Sequence, residues 1–208
     1  MLHRKKPIFI TDLDHTFLRT DQSISDFSAK VWNELSKNAI LSVATARSFQ
    51  KTQTFLDKLH LEAPMILLDG TMIVTPQKKL IDIKTLGKTL GDAIVDVGLR
   101  FGIEPFIIGL KDMELNESFL YPSKLNEHQT FVLKGYKNDP RLHFNPHNRT
   151  MQMNLKIVYF GDFETLKPLT DELKKVFGDA IECKLSPEKY SDGYFLTILH
   201  PEGDKAHA

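Results

Sequence analysis

Two carboxylates stand two residues apart where the first apolar run of the chain ends. Residues 8–10 read Ile-Phe-Ile, and the chain then passes through Thr11 to Asp12 and Asp14. In an extended chain, side chains two positions apart point to the same side and lie roughly 6–7 Å apart. Two carboxylates in that arrangement can bind a phosphoryl group together with a divalent metal ion, which takes oxygen ligands. The alternative is an acidic turn in which Asp14 or Thr16 caps the element that follows.

Polar residues also follow two later apolar segments, and the elements between these segments explain how the polar residues can meet. Segments 40–44 and 65–68 are apolar, and stretches with helical spacing separate the three runs. This β-α-β-α-β order is typical of a doubly wound, Rossmann-like parallel sheet, whose first strand we expect to be buried on both faces. Ligands bind beyond the carboxyl ends of such strands. We therefore expect one crevice at the three strand ends, lined by Asp12, Asp14, Thr45, Arg47, Asp69 and Gly70.

The first predicted helix has an apolar stripe. It begins near Asp26 and runs to about Lys37. Phe27, Val31 and Leu35 recur at helical spacing within it, with Trp32 beside them, so we expect this apolar face to lie toward the core.

The pattern changes in the second half of the chain. Residues 76–193 combine helical stretches with strands that alternate apolar and polar residues, which is typical of an antiparallel sheet with one solvated face. Within them we expect residues 112–122 to be irregular and residues 138–150 to form a polar loop. The predicted domains are a core in residues 1–75, an inserted α+β domain in residues 76–193, and a return to the core in residues 194–208.

Composition restricts the partners and the compartment. The chain has 208 residues, with 27 Lys and Arg against 27 Asp and Glu, so no global field favours nucleic acid or an anionic membrane surface as a partner. Cys183 is the only cysteine, which excludes an intrachain disulfide and is typical of a reducing compartment. No apolar window approaches a membrane span, and the basic start lacks the apolar run of a signal peptide. We therefore expect a cytoplasmic globular protein whose partner is a small molecule.

Three short motifs, in this order, are similar to those of the haloacid dehalogenase-like phosphatase superfamily and, more narrowly, of its Cof-type sugar phosphatase branch. They are Asp12-Leu13-Asp14-His15-Thr16, Thr45-Ala46-Arg47 and Gly203-Asp204-Lys205. Each motif alone is weak, but the ordered combination is specific. The resemblance covers essentially the whole chain, and it implies that the inserted α+β domain is the large cap that covers substrate in this branch.

The resemblance implies a role for each motif residue. Asp12 is the expected nucleophile, which forms an aspartyl-phosphate, and Asp14 is the expected general acid and base. Thr45 and Lys205 are expected to stabilise the transferring phosphoryl group. Mg²⁺ is the implied cofactor, held by Asp12 and by the backbone carbonyl of Asp14. The predicted substrate contacts are Thr16, Arg47, Asp69 and Gly70.

The expected activity is the Mg²⁺-dependent hydrolysis of small phosphate monoesters such as sugar phosphates. The alternatives are a phosphomutase, a phosphatase for phosphorylated cofactors, and a non-catalytic phosphate-binding protein on the same scaffold. A turn cap fits Asp69 and Gly70 as well as a substrate contact does, and an ion pair with an acid fits Arg47 equally. Oligomeric state and substrate selection have no motif in this sequence.

The sequence departs from the family pattern at three places. His15 stands where glycine is usual, and Asp69 stands where asparagine is usual before Gly70. The acidic Gly-Asp motif that follows the lysine and completes the metal site in the family does not occur before Ala208. A parallel sheet of three strands also leaves strand edges open. We therefore expect the chain to be a piece of a longer enzyme, which by itself binds Mg²⁺ poorly and turns over little.

Overall fold

The chain forms two compact units. The computed structural model describes residues 6–188 and 192–208. The first unit comprises the described residues up to Ile83 together with Gly203–Ala208, and the second unit comprises Lys84–Glu202. The second unit is therefore an insertion between two sequence segments of the first.

Among its described residues, the first unit contains five strands and two α-helices. In chain order they are β1 (Ile8–Thr11), α1 (Asp26–Leu35), β2 (Ile40–Val43), α2 (Phe49–Leu56), β3 (Met65–Leu67), β4 (Met72–Val74) and β5 (Leu80–Ile83). β1 and β2 pair in parallel, and a parallel bridge between Ala44 and Ile66 continues from β2 to β3. The predicted parallel arrangement is confirmed, so the carboxyl ends of these three strands lie at one edge. β3, β4 and β5 form an antiparallel meander.

Serine caps fix the starts of both helices in this unit. The Oγ of Ser25 accepts a hydrogen bond from the amide of Ser28 at 2.9 Å, and the Oγ of Ser48 accepts one from the amide of Lys51 at 3.3 Å. Each bond satisfies an amide that has no partner within its helix. The second cap directly follows Arg47, so it also sets where the chain turns after the predicted site arginine.

The expectation that β1 is buried on both faces is wrong. Ile8, Phe9 and Ile10 are 64 %, 56 % and 54 % exposed. Among the described strands, β1 pairs only with β2. An apolar strand with one neighbour leaves its second edge uncovered, and here both of its faces remain accessible as well.

The predicted inward face of α1 is also wrong. Phe27, Val31 and Leu35 are exposed, whereas Trp32 is buried. The indole Nε1 of Trp32 donates to the carbonyl of His60 at 3.0 Å. Helical spacing identified the apolar stripe, but the helix is rotated so that its largest aromatic side chain faces inward.

In its described residues, the second unit is a seven-stranded sheet with three α-helices. In chain order its elements are β6 (Leu86–Gly87), α3 (Lys88–Arg100), β7 (Phe106–Leu110), β8 (Glu117–Pro122), α4 (Glu127–Lys134), β9 (Leu142–Asn145), β10 (Met153–Gly161), α5 (Phe163–Phe177), β11 (Glu182–Pro187) and β12 (Tyr194–Leu199). The strand order is β11-β12-β10-β7-β8-β9, and β6 pairs with β10. All neighbours are antiparallel except β8 and β9.

The core of this unit lies between the sheet and the helices α3 and α5. Its centre is fully buried and includes Ile107, Ile157, Tyr159 and Leu169. The hydroxyl of Tyr159 donates to the carbonyl of Ile94 at 3.1 Å. Burial raises the pKa of Tyr159 far above its ordinary value, so the phenol is neutral inside this core.

Two stretches of the second unit differ from their predicted form. Residues 112–122 include β8, which pairs with both β7 and β9, and residues 138–150 include β9. The compact units divide after Ile83 and after Glu202, where β5 pairs with β4 and β12 pairs with β10. The predicted domain bounds after residues 75 and 193 remain predictions. Among the described helices of both units, none is long and apolar enough to cross a membrane.

Candidate active site

Asp12 directly follows β1, so its carboxylate stands at the end of the strand. Its Oδ1 accepts hydrogen bonds from the amide of Leu13 at 2.8 Å and from Nζ of Lys205 at 3.0 Å. Its Oδ2 has no hydrogen-bond partner among the described residues, and the side chain is 44 % exposed. One oxygen is therefore held in place while the other is open to a ligand.

Arg47 binds Asp14 with two hydrogen bonds. Its Nε donates to Oδ2 at 2.9 Å and its Nη2 donates to Oδ1 at 2.5 Å. Such pairs are strong because the planar guanidinium matches both carboxylate oxygens. The hydrogen bonding from Arg47 lowers the pKa of Asp14 below its ordinary value, although partial burial opposes the shift. Asp14 is therefore held as a carboxylate in this arrangement.

Two further residues position Arg47, and the sequence analysis gave neither of them a role in the site. Nη2 of Arg47 also donates to Oε1 of Gln22 at 3.2 Å. The guanidinium carbon lies 5.1 Å from the centre of the Phe55 ring, which is a cation–π contact. No sequence motif marks either partner. Helical spacing indicates only that Phe55 belongs to α2.

Thr45 joins the ends of β2 and β3. Its amide donates to the carbonyl of Ile66 at 2.9 Å, and its carbonyl accepts from the amide of Asp69 at 3.1 Å. Its Oγ1 accepts from the amide of Arg47 at 3.2 Å. The residue is fully buried. Thr45 therefore links the turn after β3 to the arginine that binds Asp14.

Most of the predicted site residues belong to one connected group in the first unit. The group is held together by the contacts above and by the approach of Gly70 to the backbone of Asp204 and Lys205. Thr16 lies outside it, because its side chain is exposed and bonds to no described residue. The predicted roles of all these residues remain predictions.

His15 stands at a position that favours glycine. Its φ is 55°, in the left-handed region that costs non-glycine residues free energy. The side chain is exposed, so histidine fits here without a steric clash in the turn, and the cost is confined to the backbone.

The described part of the chain contains no preformed cluster of metal ligands. No group of three or more His, Cys, Asp or Glu side chains there is placed to hold a metal ion. Mg²⁺ at phosphoryl-transfer sites uses one or two carboxylates, with water and substrate phosphate completing its shell. The partly exposed carboxylate of Asp12 fits that requirement, whereas both oxygens of Asp14 bind Arg47. The site therefore offers the Asp12 carboxylate to a Mg²⁺ ion, and the backbone carbonyl of Asp14 is a ligand only by the resemblance.

Comparison with known proteins identifies the family. The sequence profile of the haloacid dehalogenase-like hydrolase family matches residues 9–208, so the chain belongs to this family. The family predicted from the three motifs is thereby confirmed. None of the curated proteins matches the sequence.

Solved structures share the fold. A haloacid dehalogenase-like hydrolase from Bacteroides thetaiotaomicron matches with a TM-score of 0.73 at 16% identity, over 97% of this chain and 74% of its own. TM0651 from Thermotoga maritima matches with a TM-score of 0.72 at 18% identity, over 97% of this chain and 72% of its own. The subclass IIB sugar phosphatase BT4131 matches with a TM-score of 0.65 at 13% identity, over 98% of this chain and 73% of its own. At these identities the matches establish the fold alone.

Proposed function

We propose that the chain is a Mg²⁺-dependent phosphomonoesterase that acts on small phosphorylated metabolites such as sugar phosphates. The proposal rests on the carboxylate of Asp12, which has one oxygen fixed by Leu13 and Lys205 and the other open to a ligand. A carboxylate held in this way can attack phosphorus. Lys205 places positive charge beside it, where negative charge spreads in the transition state. The family match and the fold shared with the sugar phosphatase BT4131 support this choice.

The reaction would proceed in two displacements. In the first, Oδ2 of Asp12 bonds to phosphorus while the ester P–O bond breaks, and Asp14 gives its proton to the departing alkoxide. In the second, water attacks the aspartyl-phosphate, Asp14 takes a proton from the water, and inorganic phosphate leaves. Both carboxyl groups then return to their starting states. Bound Mg²⁺ would supply positive charge to the phosphate oxygens.

Arg47 and Asp14 must separate before the first displacement. The guanidinium stabilises the ionised form of Asp14, and an ionised carboxylate has no proton to donate. A phosphate dianion offers the same guanidinium a partner of higher charge and suitable geometry. We therefore assign Arg47 to binding the substrate phosphate. Its transfer from carboxylate to phosphate would allow Asp14 to take up the proton.

The remaining features fit a small-molecule enzyme of the cytoplasm. We assign substrate selection to the second unit, because the resemblance places the large cap in this part of the sequence. Cys183 is a buried free thiol, which fits a reducing compartment. The balanced charge of the chain gives no support to a nucleic acid or membrane partner.

The test is an assay of the purified chain against a panel of small sugar phosphates, with Mg²⁺ and with a chelator. We expect Mg²⁺-dependent release of inorganic phosphate that saturates only at high Mg²⁺, because Asp12 is the carboxylate that the site offers. Asp12→Asn should lower the turnover at least about a thousandfold, since it removes the nucleophile. Asp57→Asn is the matched control. It changes an exposed carboxylate of the same unit and should leave turnover unchanged.

Other outcomes would indicate a different function. Binding of sugar phosphates without turnover would identify a non-catalytic phosphate-binding protein. Transfer of the phosphoryl group to a second hydroxyl of the sugar, in place of release as phosphate, would identify a phosphomutase. Equal turnover of Asp12→Asn and the unchanged chain would contradict the assignment of the nucleophile.

A further inference from the structure

The turn after β3 has an unusual backbone conformation. Leu68, Asp69 and Gly70 have φ angles of 50°, 68° and 115°. The first two values lie in the left-handed region, which is costly for residues with a Cβ, and the third is essentially restricted to glycine. Strained residues persist only where the surrounding structure holds them. Here the amides of Leu68 and Asp69 donate to the carbonyls of Arg47 and Thr45 at 3.0 Å and 3.1 Å.

This turn brings Gly70 against the segment that carries Lys205. A Cβ added to Gly70 would overlap the backbone carbonyl carbon and oxygen of Asp204, and it would lie 2.6 Å from the amide nitrogen of Lys205. The obstructing atoms belong to the backbone, so no change of side-chain rotamer can make room. The segment can pack in this position only because residue 70 has no side chain.

The segment keeps its own conformation through Asp204. Its Oδ1 accepts from the amides of Ala206 and His207 at 2.9 Å and 3.0 Å. These bonds close a turn around Lys205 but do not attach the turn to the rest of the unit. The side chain of Lys205 then reaches Oδ1 of Asp12 at 3.0 Å. The backbone contact with Gly70 and the ion pair with Asp12 therefore hold the same segment at two points.

We propose that Gly70 is a positioning residue, which seats the backbone of Asp204 and Lys205 so that the lysine reaches Asp12. The proposal rests on the proposed function for its catalytic consequence but not for its geometry. It replaces the predicted role of Gly70 as a substrate contact. Gly70 is buried, and what it provides is the absence of a Cβ.

The geometric test treats the chain with a lysine-reactive acylating reagent. Quantitative mass spectrometry then measures the modification rate of each lysine. Gly70→Ala should raise the rate at Lys205 by roughly two- to fivefold, the change expected when a partly exposed ion pair is lost. Gly102→Ala and Gly178→Ala are matched controls. Both glycines have positive φ but open space where a Cβ would lie, so these variants add backbone strain without bulk and should leave Lys205 unchanged.

Two other lysines of the first unit distinguish displacement of the segment that carries Lys205 from unfolding of the whole unit. Lys51 and Lys58 are exposed residues in and after α2, and their modification rates should stay constant in Gly70→Ala. A rise at Lys51, Lys58 and Lys205 together would overturn the proposal, because bulk at residue 70 would then unfold the unit. An unchanged rate at Lys205 would overturn it as well.

The catalytic test is a double-mutant cycle. Gly70→Ala and Lys205→Gln should each lower kcat by roughly 10- to 1,000-fold with a smaller change in KM, as expected when transition-state charge stabilisation is lost. The double variant should be no slower than Lys205→Gln alone, because Gly70 acts through the lysine. Additive losses would contradict this. If the unchanged chain shows no turnover, the proposed function fails, whereas the modification experiment still decides the role of Gly70.

Discussion

The opening strand of the first unit and the central strands of the second unit bury their apolar residues to very different extents. In the second unit, Ile107 of β7 and Ile157 of β10 are fully buried. In the first unit, residues 8–10 of β1 remain more than half exposed, although they are just as apolar. The candidate catalytic groups belong to the first unit. We infer that Asp12 stands at the end of a less well packed strand, because β1 pairs only with β2 among the described strands, whereas β7 and β10 each pair on both edges.

The strongest test of this comparison is to separate the units. A polypeptide of residues 84–202 should fold by itself, because its core is formed by its own strands and helices. We expect cooperative urea unfolding by circular dichroism and dispersed amide resonances by NMR. A disordered peptide would show that the second unit depends on the first for its stability.

A pair of identical substitutions compares the units inside the intact chain. Ile107→Ala should lower the free energy of unfolding by about 2–5 kcal/mol, because it leaves a cavity in a fully buried site. Ile10→Ala, also within a strand, should cost less than about 1 kcal/mol, because that side chain is largely exposed. Urea titrations of both variants measure the difference. Equal losses would contradict the difference in burial between β7 and β1.

A smaller effect is expected from a buried hydroxyl of the second unit. Tyr159→Phe should lower the free energy of unfolding by about 0.5–1.5 kcal/mol, since it removes the hydrogen bond from the Tyr159 hydroxyl to the carbonyl of Ile94. Tyr136→Phe is the control, because the Tyr136 hydroxyl donates to no described residue. Burial raises the pKa of Tyr159. In an alkaline titration followed by tyrosinate absorbance, the signal of Tyr159, which Tyr159→Phe removes, should therefore appear only as the chain unfolds.

The smallest expected effect is the loss of stability when the carboxylate of Asp14 is protonated at low pH. Arg47 lowers the pKa of Asp14 below its ordinary value of 3.8. The ion pair therefore stabilises the fold above that pH, and the contribution is lost as the pH falls through the lowered pKa. Because Asp14 is 40 % exposed, the contribution should be under about 1 kcal/mol. The stability difference between the unchanged chain and Asp14→Asn should shrink on acidification, and a difference that grows would contradict the ion pair.

The sequence predicted the strands of the first unit better than their burial. A continuous apolar run such as residues 8–10 identifies a strand, but burial depends on what pairs with it, and local sequence does not contain that information. The strands β8 and β9 show the opposite error. The sequence predicts an irregular stretch and a polar loop there, yet the side chain of Arg141 is only 12 % exposed and forms ion pairs with Glu117 and Asp139. These charged side chains can be removed from solvent because opposite charges are paired.

In the candidate site, too, the sequence predicted individual residues better than the contacts that they make. The motifs marked Asp12 and Lys205, and the fold brings them into contact although they are 193 positions apart. The sequence left open whether Arg47 pairs with an acid or contacts phosphate, and the structure shows the acid pairing. Gln22 and Phe55 were not predicted because their role is to position another side chain. Such supporting contacts depend on three-dimensional packing and have no spacing rule.

The ion pair between Lys84 and Glu202, the first and last residues of the insertion, spans only 3.2 Å. The chain thus leaves the insertion close to the point where it enters. Folding of the insertion therefore removes most of the loop-closure entropy that opposes contact between residues 203–208 and the rest of the first unit. The folded insertion therefore raises the effective concentration of Lys205 near Asp12. Unfolding of the insertion should therefore weaken the ion pair between Lys205 and Asp12 even when every residue of the first unit is unchanged.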